Sequence, residues 1–301
     1  MTKTYTANNA NQVRYGSDNV DGINVFYRKA GDPSKQAVVL LHGFPSSSHQ
    51  YREILSALGD EFYLIAPDYP GFGYSEKPSK EEYTYTFDNL AATMAKFLEQ
   101  KGISNYFLMI HDYGAPVGFR IATKHPENIA GFIVMNGNAY EEGLSNLTQQ
   151  TLSQTRTPED EATKIGNFMS LDRIKWLYTT GARNPDGLNP DGWHLDHTII
   201  SEPHVTALNL ELLYDYPNNI PLYANWQQYL RDTQPPMLIV WGRNDPIFLE
   251  QGAAAYQQDV RDIDYHIFDT GHFPLEEDAP QIIEKMREFL RARVTTNEIN
   301  P

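Results

Sequence analysis

Cysteine is absent from the 301-residue chain, so disulfides and thiolate metal sites are excluded and the composition suits a reducing compartment. Long apolar stretches are missing as well. No run approaches the roughly 18 residues that a membrane span needs, and residues 1–14 hold no apolar h-region of the kind a secretory signal carries. A cytoplasmic protein with no membrane partner is expected. Positive charge is scarce: 24 Lys and Arg stand against 39 Asp and Glu, a formal net charge of −15. Phosphate backbones and anionic bilayers would approach against that field, which argues against nucleic acid and tilts the expectation toward small neutral organic substrates. Neither G-x-G-x-x-G nor G-x-x-x-x-G-K-[ST] occurs, and no cofactor is expected. His194, His197 and His204 come nearest to a metal motif, but their His-x-x-His spacing lacks the Glu of a zinc protease, so no metal is expected either.

What is present reads as an α/β protein. With 41 % hydrophobic residues, a chain of this length can bury a substantial core and suits a large domain carrying an insertion. Residues 12–15 and 23–28 alternate apolar and polar around Asp21-Gly22, the pattern of an antiparallel hairpin. The run 37–41 is apolar on both faces, as a buried parallel strand requires; 62–66, 106–110, 129–135 and 237–241 read as further buried strands, and 265–268 as a short last one. Between them, helical spacing covers 48–58, 87–100, a segment after Gly114 that ends near His125-Pro126, and 281–291, with 295–301 as a frayed tail. From Tyr140 to about Thr233 the chain is polar, with turn clusters at Asn184-Pro185-Asp186-Gly187 and Asn189-Pro190-Asp191-Gly192 and no buried strand. The prediction is a mostly parallel eight-stranded sheet with helices on both faces, its core formed by 1–138 and 235–301. A helical cap, 139–234, is inserted after strand 6.

The stretch that organises the chemistry is Leu108-Met109-Ile110-His111-Asp112-Tyr113-Gly114-Ala115. An apolar strand stops at a polar residue, and small residues let the chain turn at once into a helix. Such an elbow lifts one residue above the carboxyl edge of a sheet, beside backbone N–H groups that stabilise developing negative charge. Here the lifted residue is Asp112. Ile110 replaces the first glycine of the G-x-S-x-G version, and Gly114 keeps the second. Three other strand ends carry matching features: His42-Gly43-Phe44-Pro45, Gly242-Arg243-Asn244-Asp245-Pro246 and Asp269-Thr270-Gly271-His272-Phe273-Pro274. Active sites of open α/β sheets lie outside the carboxyl ends of strands, so Asp112, Asp245 and His272 can converge, in the order nucleophile, acid, histidine. Each motif alone is more often a turn; together, in order, they indicate a hydrolytic site.

His-Asp-Tyr-Gly, His-Gly-Phe-Pro and the loop Asp68-Tyr69-Pro70-Gly71-Phe72-Gly73-Tyr74-Ser75 resemble the elbow, oxyanion loop and Gly/Pro loop of epoxide hydrolases and haloalkane dehalogenases. These form the aspartate-nucleophile branch of the α/β-hydrolase superfamily. The resemblance spans nearly the whole chain, strongly outside the cap, and implies the α/β-hydrolase fold. It also implies a covalent aspartyl-ester mechanism: Asp112 attacks an sp³ carbon, His272 activates the water that hydrolyses the ester, and Asp245 stabilises the imidazolium. The N–H groups of Phe44 and Tyr113 hold the oxyanion. Attack on an ordinary ester would give an anhydride, so the electrophile is an epoxide or a halogen-bearing carbon.

An alkoxide leaving group needs a proton and a halide does not. Dehalogenases of this family commonly hold halide with a tryptophan after the nucleophile and an Asn or Trp in the oxyanion loop; Tyr113 and Phe44 stand there. Tyr113 and Pro116 likewise replace the arginines of fluoroacetate-type enzymes. Hydrolysis of a neutral epoxide to a vicinal diol is therefore expected, with haloalkane dehalogenation as the alternative. Epoxide hydrolases of the family use two cap phenols as acids. Among Tyr140, Tyr178, Tyr214, Tyr216, Tyr223 and Tyr229, Tyr214 is the first choice and Tyr178 the second. Two readings from other classes are weaker. A serine esterase would have to use Ser46, Ser47 or Ser48, which follow the oxyanion loop and not an elbow, and a non-catalytic ligand-binding protein would show a damaged triad. A monomer or homodimer is expected.

Overall fold

The computed structural model of the protein describes residues 12–153 and 155–297. Its eight strands are β1 Arg14–Val20, β2 Ile23–Ala30, β3 Ala37–Leu41, β4 Tyr63–Pro67, β5 Tyr106–His111, β6 Ile129–Met135, β7 Met237–Gly242 and β8 Ile263–Phe268. They form one sheet in the order β1-β2-β4-β3-β5-β6-β7-β8. β2 runs antiparallel to both β1 and β4, and the other pairs are parallel. The hairpin between β1 and β2 turns on Asp21 (φ 51°) and Gly22 (φ 95°), the two left-handed positions that a tight two-residue turn requires.

Strands with two apolar faces feed two cores. In β3, Val39 and Leu41 point to one side and Val38 and Leu40 to the other; in β5, Leu108 and Ile110 oppose Phe107 and Met109. The second face is covered by Ile54, Leu55 and Leu58 of the helix Arg52–Leu58 and by Ile282, Ile283, Met286, Phe289 and Leu290 near the C-terminus. The first takes the helices Phe87–Gln100 and Gly114–Lys124 and much of the segment between β6 and β7. Fully burying one such aliphatic or aromatic side chain is worth roughly 1.5–3 kcal/mol, so both faces must be covered for the central strands to be stable.

Between β6 and β7 the described residues form six α-helices, Asn146–Leu152, Pro158–Met169, Leu171–Thr179, Asp191–Ile200, Pro203–Asp215 and Tyr223–Thr233, and no strand. This helical insertion is tied to the rest by buried polar contacts. Arg183 clasps Asp278 through two bonds of 2.7 and 2.9 Å, and Arg120 reaches Asn219 at 2.7 Å. Two helix boundaries differ from expectation. Residues 48–58 divide into a 3₁₀ turn, Ser48–Tyr51, and the α-helix. The last helix begins at Leu275 and not at 281, kinked at Asp278 (φ −118°) just before Pro280, whose missing N–H cannot continue the ladder. That helix runs to Asn297, so the first part of the expected tail is helical, and 298–301 lie outside the described residues. No helix among the described residues is long and apolar enough to cross a membrane.

Candidate active site

The turn after β5 places Asp112 in the left-handed region (φ 49°), a conformation that costs a non-glycine residue about 1–3 kcal/mol and persists only where neighbours over-determine it. Two glycines do so. A Cβ on Gly114 would lie 2.2 Å from the carbonyl oxygen of Leu41, so only glycine lets the helix start this close to β3. A Cβ on Gly43 would lie 2.3 Å from Asp112 Cβ, so only glycine lets the loop after β3 pass over the carboxylate. Ile110, at the position where a glycine is usual, is accommodated from the other side: its Cγ2 lies 2.6 Å from where Gly118 would carry a Cβ.

This close approach brings backbone N–H donors onto the Asp112 carboxylate. The Phe44 N–H donates to Asp112 Oδ1 at 2.6 Å, and the Tyr113 N–H, next in the chain, also favours the ionised carboxylate. Oδ2 faces the histidine, 3.8 Å from His272 Nε2. On its other side His272 donates from Nδ1 to Asp245 Oδ2 at 2.8 Å. Asp112, Asp245, His272, Phe44 and Tyr113 are thus brought together from four strand ends, and all are buried.

Two further residues, given no role from the sequence, support the site. Asn136, at the end of β6 in a left-handed conformation (φ 43°), donates its amide to Asp245 Oδ2 at 2.7 Å and accepts from Gly242 N at 2.9 Å, bridging the two strand ends. His111 bonds the carbonyl oxygen of His272 through Nε2 at 2.9 Å and Gln50 through Nδ1 at 3.3 Å. Burial and the neighbouring His272 push its pKa well down, so it is a neutral strut. His42, down to about 4 chiefly through burial, is neutral too and accepts from Tyr69 N at 3.2 Å.

Burial raises the Asp112 pKa to about 6, against the pull of His272 and of the Phe44 and Tyr113 N–H groups. For His272, burial works against the charged form, but Asp245 and then Asp112 outweigh it and hold the pKa above the ordinary histidine value. Conversion of Asp112 to a neutral ester would remove one of those two anions, so His272 would release its proton more readily once the ester has formed.

A cavity of about 70 Å³ opens onto the carboxylate and is walled mainly by Phe44, Tyr113, Leu177, Leu213, Ile247 and Phe248. Among its lining residues there is no serine, no asparagine and no tryptophan. None of the three serines near the Phe44 turn lines this cavity: Ser47 Oγ caps the following turn, Ser48 Oγ accepts from Arg28 Nε at 3.0 Å, and Ser46 lines a separate cavity with Asp196. Thr148, which does line the cavity, donates its hydroxyl to the carbonyl of Ile247 at 2.9 Å.

The two phenols favoured from sequence are not brought to this cavity. Tyr214 bonds Asp160 under the guanidinium of Arg156, beside a separate surface groove that Lys80, Thr84 and Thr86 also line. Tyr178 stacks on Phe273 at 4.0 Å and donates to Asp196 at 2.6 Å. Tyr216 lines the cavity instead, against Tyr113 at 5.8 Å between ring centroids. Two residues of helix turn the side chain by roughly 200°, so Tyr214 and Tyr216 necessarily face opposite ways. Burial holds the pKa of the Tyr216 phenol well above the usual tyrosine range, and the neighbouring Tyr223 hydroxyl accepts from Asn138 Nδ2 at 3.3 Å.

Sheet order, elbow and acid–histidine pair define a hydrolase built on an open α/β sheet. The family model described as alpha/beta hydrolase fold matches residues 36–279, and the chain belongs to that family. An uncharacterized hydrolase of Saccharomyces cerevisiae is 39 % identical over 271 residues, 88 % of this chain and 93 % of that protein. Haloalkane dehalogenase 2 of Mycobacterium tuberculosis is 28 % identical over 219 residues, 70 % of this chain and 72 % of the relative. Among solved structures, an epoxide hydrolase superposes with a TM-score of 0.74 at 19 % identity, covering 93 % of this chain and 99 % of its own, a likeness of fold.

Proposed function

We propose that this hydrolase belongs to the aspartate-nucleophile branch and opens epoxides to vicinal diols through an ester on Asp112, with 139–234 acting as a cap over the core formed by 1–138 and 235–301. The observation that carries the reading is the disposition of the Asp112 carboxylate: Oδ1 lies in the N–H cradle, Oδ2 faces His272, and no serine hydroxyl lines the cavity. Oδ2 attacks the ring carbon and the C–O bond of the ring breaks. Oδ1 is then the ester carbonyl, already held by the Phe44 N–H, with the Tyr113 N–H as the second donor. His272 takes a proton from water, the hydroxide adds to Cγ, and the negative charge on Oδ1 is met by the same two N–H groups. Collapse of the adduct breaks the Cγ–Oδ2 bond, His272 returns its proton to the departing oxygen, and the diol leaves with the oxygen that was Oδ2. Asp245 balances the imidazolium while it lasts, and Asp112 ionises again as the new carboxyl releases its proton.

Ring opening leaves an alkoxide that needs a proton, and Tyr216 is the phenol placed to give it. Tyr216 lines the cavity beside Asp112 and Tyr113, and burial holds its phenol protonated. Haloalkane dehalogenation is the second reading, favoured by the M. tuberculosis relative. The absence of an indole or amide donor among the cavity's lining residues weighs against it. A panel of aryl and alkyl epoxides beside bromo- and chloroalkanes tests the choice. Diol formation should dominate, and Tyr216→Phe should lose roughly 100- to 10,000-fold, the range for a general acid, while Tyr214→Phe stays near wild type. Bromide release faster than any diol formation, indifferent to Tyr216→Phe, would reverse the ordering.

A further inference from the structure

We propose that Arg173 makes this cavity selective for substrates carrying a carboxylate remote from the reacting ring: epoxy carboxylic acids with an apolar spacer. This rests on the reading of the cavity as an epoxide-opening site around Asp112, and it names the substrate class that site takes.

Arg173 lines the same cavity as Asp112 and His272, and no lysine or other arginine does so. It is half-buried, yet among the described residues no ion pair or side-chain hydrogen bond of its guanidinium is found, in a chain with 39 acidic residues to choose from. The contrast with its neighbours is direct. Arg52 is paired with Glu276 at 2.8 Å, Arg156 with Glu211 at 2.8 Å and Arg183 with Asp278 at 2.7 Å.

Helix stability does not explain the residue. Arg173 is the third residue of the helix Leu171–Thr179, in the first turn, where the helix dipole disfavours a cation. What holds it is aromatic: its Cζ lies 3.5 Å from the ring centroid of Trp176 and 5.9 Å from that of Phe168. Stacking on a ring face fixes the guanidinium plane and leaves its edge N–H groups available. Burial pulls its pKa below the usual arginine value with no acid to offset the cost, and the group remains charged. A fixed, half-buried and unpartnered guanidinium edge matches a carboxylate, which it can bind with two parallel bonds.

The rest of the wall sets what lies between the two ends. Leu147, Leu152, Phe168, Leu177 and Leu213 are apolar, so the spacer is a hydrocarbon chain or ring. The ring end must be uncharged beside Asp112. The net charge of −15, which favoured a neutral substrate, acts over distances screened beyond roughly 8 Å at physiological salt, whereas the Arg173 contact is local.

The test separates recognition from chemistry. Binding of octanoate and octanamide is measured by calorimetry on wild type, Arg173→Gln and Arg173→Lys. Octanoate is expected to bind wild type roughly tenfold more tightly than octanamide, with the preference lost in Arg173→Gln and largely kept in Arg173→Lys. Arg173→Met, which keeps the aliphatic stem against Trp176, replaces Arg173→Gln where that variant fails to fold. In turnover, an epoxyalkanoate and its methyl ester are compared, and the acid-to-ester ratio of kcat/KM should fall roughly tenfold in Arg173→Gln. Octanoate bound no better than octanamide by wild type, or a preference that survives Arg173→Gln, overturns the proposal. Octanoate preference without turnover of any epoxide would sink the epoxide reading and leave the carboxylate subsite standing; epoxide turnover with no acid preference would do the reverse.

Discussion

Asp245→Asn separates the charge of the acid from its shape. Both oxygens of Asp245 act only as acceptors: Oδ2 takes His272 Nδ1 at 2.8 Å and Asn136 Nδ2 at 2.7 Å, and Oδ1 takes the Ile247 N–H at 2.7 Å. An amide offers one acceptor oxygen, so in either orientation its NH₂ meets a donor. With the amide oxygen toward His272, the Ile247 N–H is left without an acceptor. Turned over, the NH₂ faces Nδ1 and drives the imidazole to the tautomer whose Nε2 cannot act as a base. Losing one buried hydrogen bond to a charged group costs about 1.5–3 kcal/mol, so melting should fall by several degrees at roughly 2–4 °C per kcal/mol for a large domain. Catalysis should suffer more. Ester hydrolysis is expected to slow by about 10⁴-fold, the loss typical when a triad acid becomes its amide. Ester formation needs no base and should slow far less. Rapid-quench kinetics with an epoxide should therefore show consumption of one substrate per enzyme and then near-arrest. Steady turnover close to the wild-type rate would refute the reasoning: Asn136 carries no charge, so another acid would have to serve His272.

Two further outcomes follow from the same geometry. Asp112 attacks only when ionised, and its pKa is raised to about 6, so kcat/KM should be flat near neutral pH and fall about tenfold per unit once the pH drops below about 6. A profile flat down to about pH 4.5, well below that pKa, would contradict the assignment. Gly43→Ala puts a methyl 2.3 Å from Asp112 Cβ and must displace the Phe44 N–H from Oδ1. A loss of roughly 100- to 1,000-fold in kcat, the usual cost of one oxyanion donor, is expected in a protein that still melts cooperatively. An unchanged kcat would place the oxyanion elsewhere.

Much of the sheet was legible because its central strands, such as β3 and β5, must cover both faces and so read as continuous apolar runs. The residues gathered at the site were legible for a related reason: each sits within a few residues of a strand's carboxyl end, so its sequence position alone carries it to one edge of the sheet. Helical phase was harder. Leu213-Tyr214-Asp215-Tyr216 contains the phenol that lines the cavity, but the choice between Tyr214 and Tyr216 depends on which face of the helix Pro203–Asp215 turns inward. That helix carries apolar residues all round, with Val205, Leu208, Leu210, Leu212 and Leu213 all buried, so its sequence gives no clear inner face. Asn136 and Arg173 were illegible for another reason. Bridging β6 to β7, or lacking an acidic partner, is a property of tertiary neighbours and not of the residues beside them in the chain. The early start of the last helix was hidden by Pro280, which marks a helix end in most contexts and only a kink here.

The central claim is that Asp112 becomes esterified during turnover, and His272→Gln tests it most directly. The variant keeps the attacking carboxylate and the Phe44 and Tyr113 donors but lacks the base that hydrolyses the ester. Intact-mass measurement after mixing with styrene oxide, followed by peptide mapping, should show one adduct of the substrate's mass on the peptide containing Asp112. An adduct on another residue, or none with an epoxide that the wild type turns over, would contradict it.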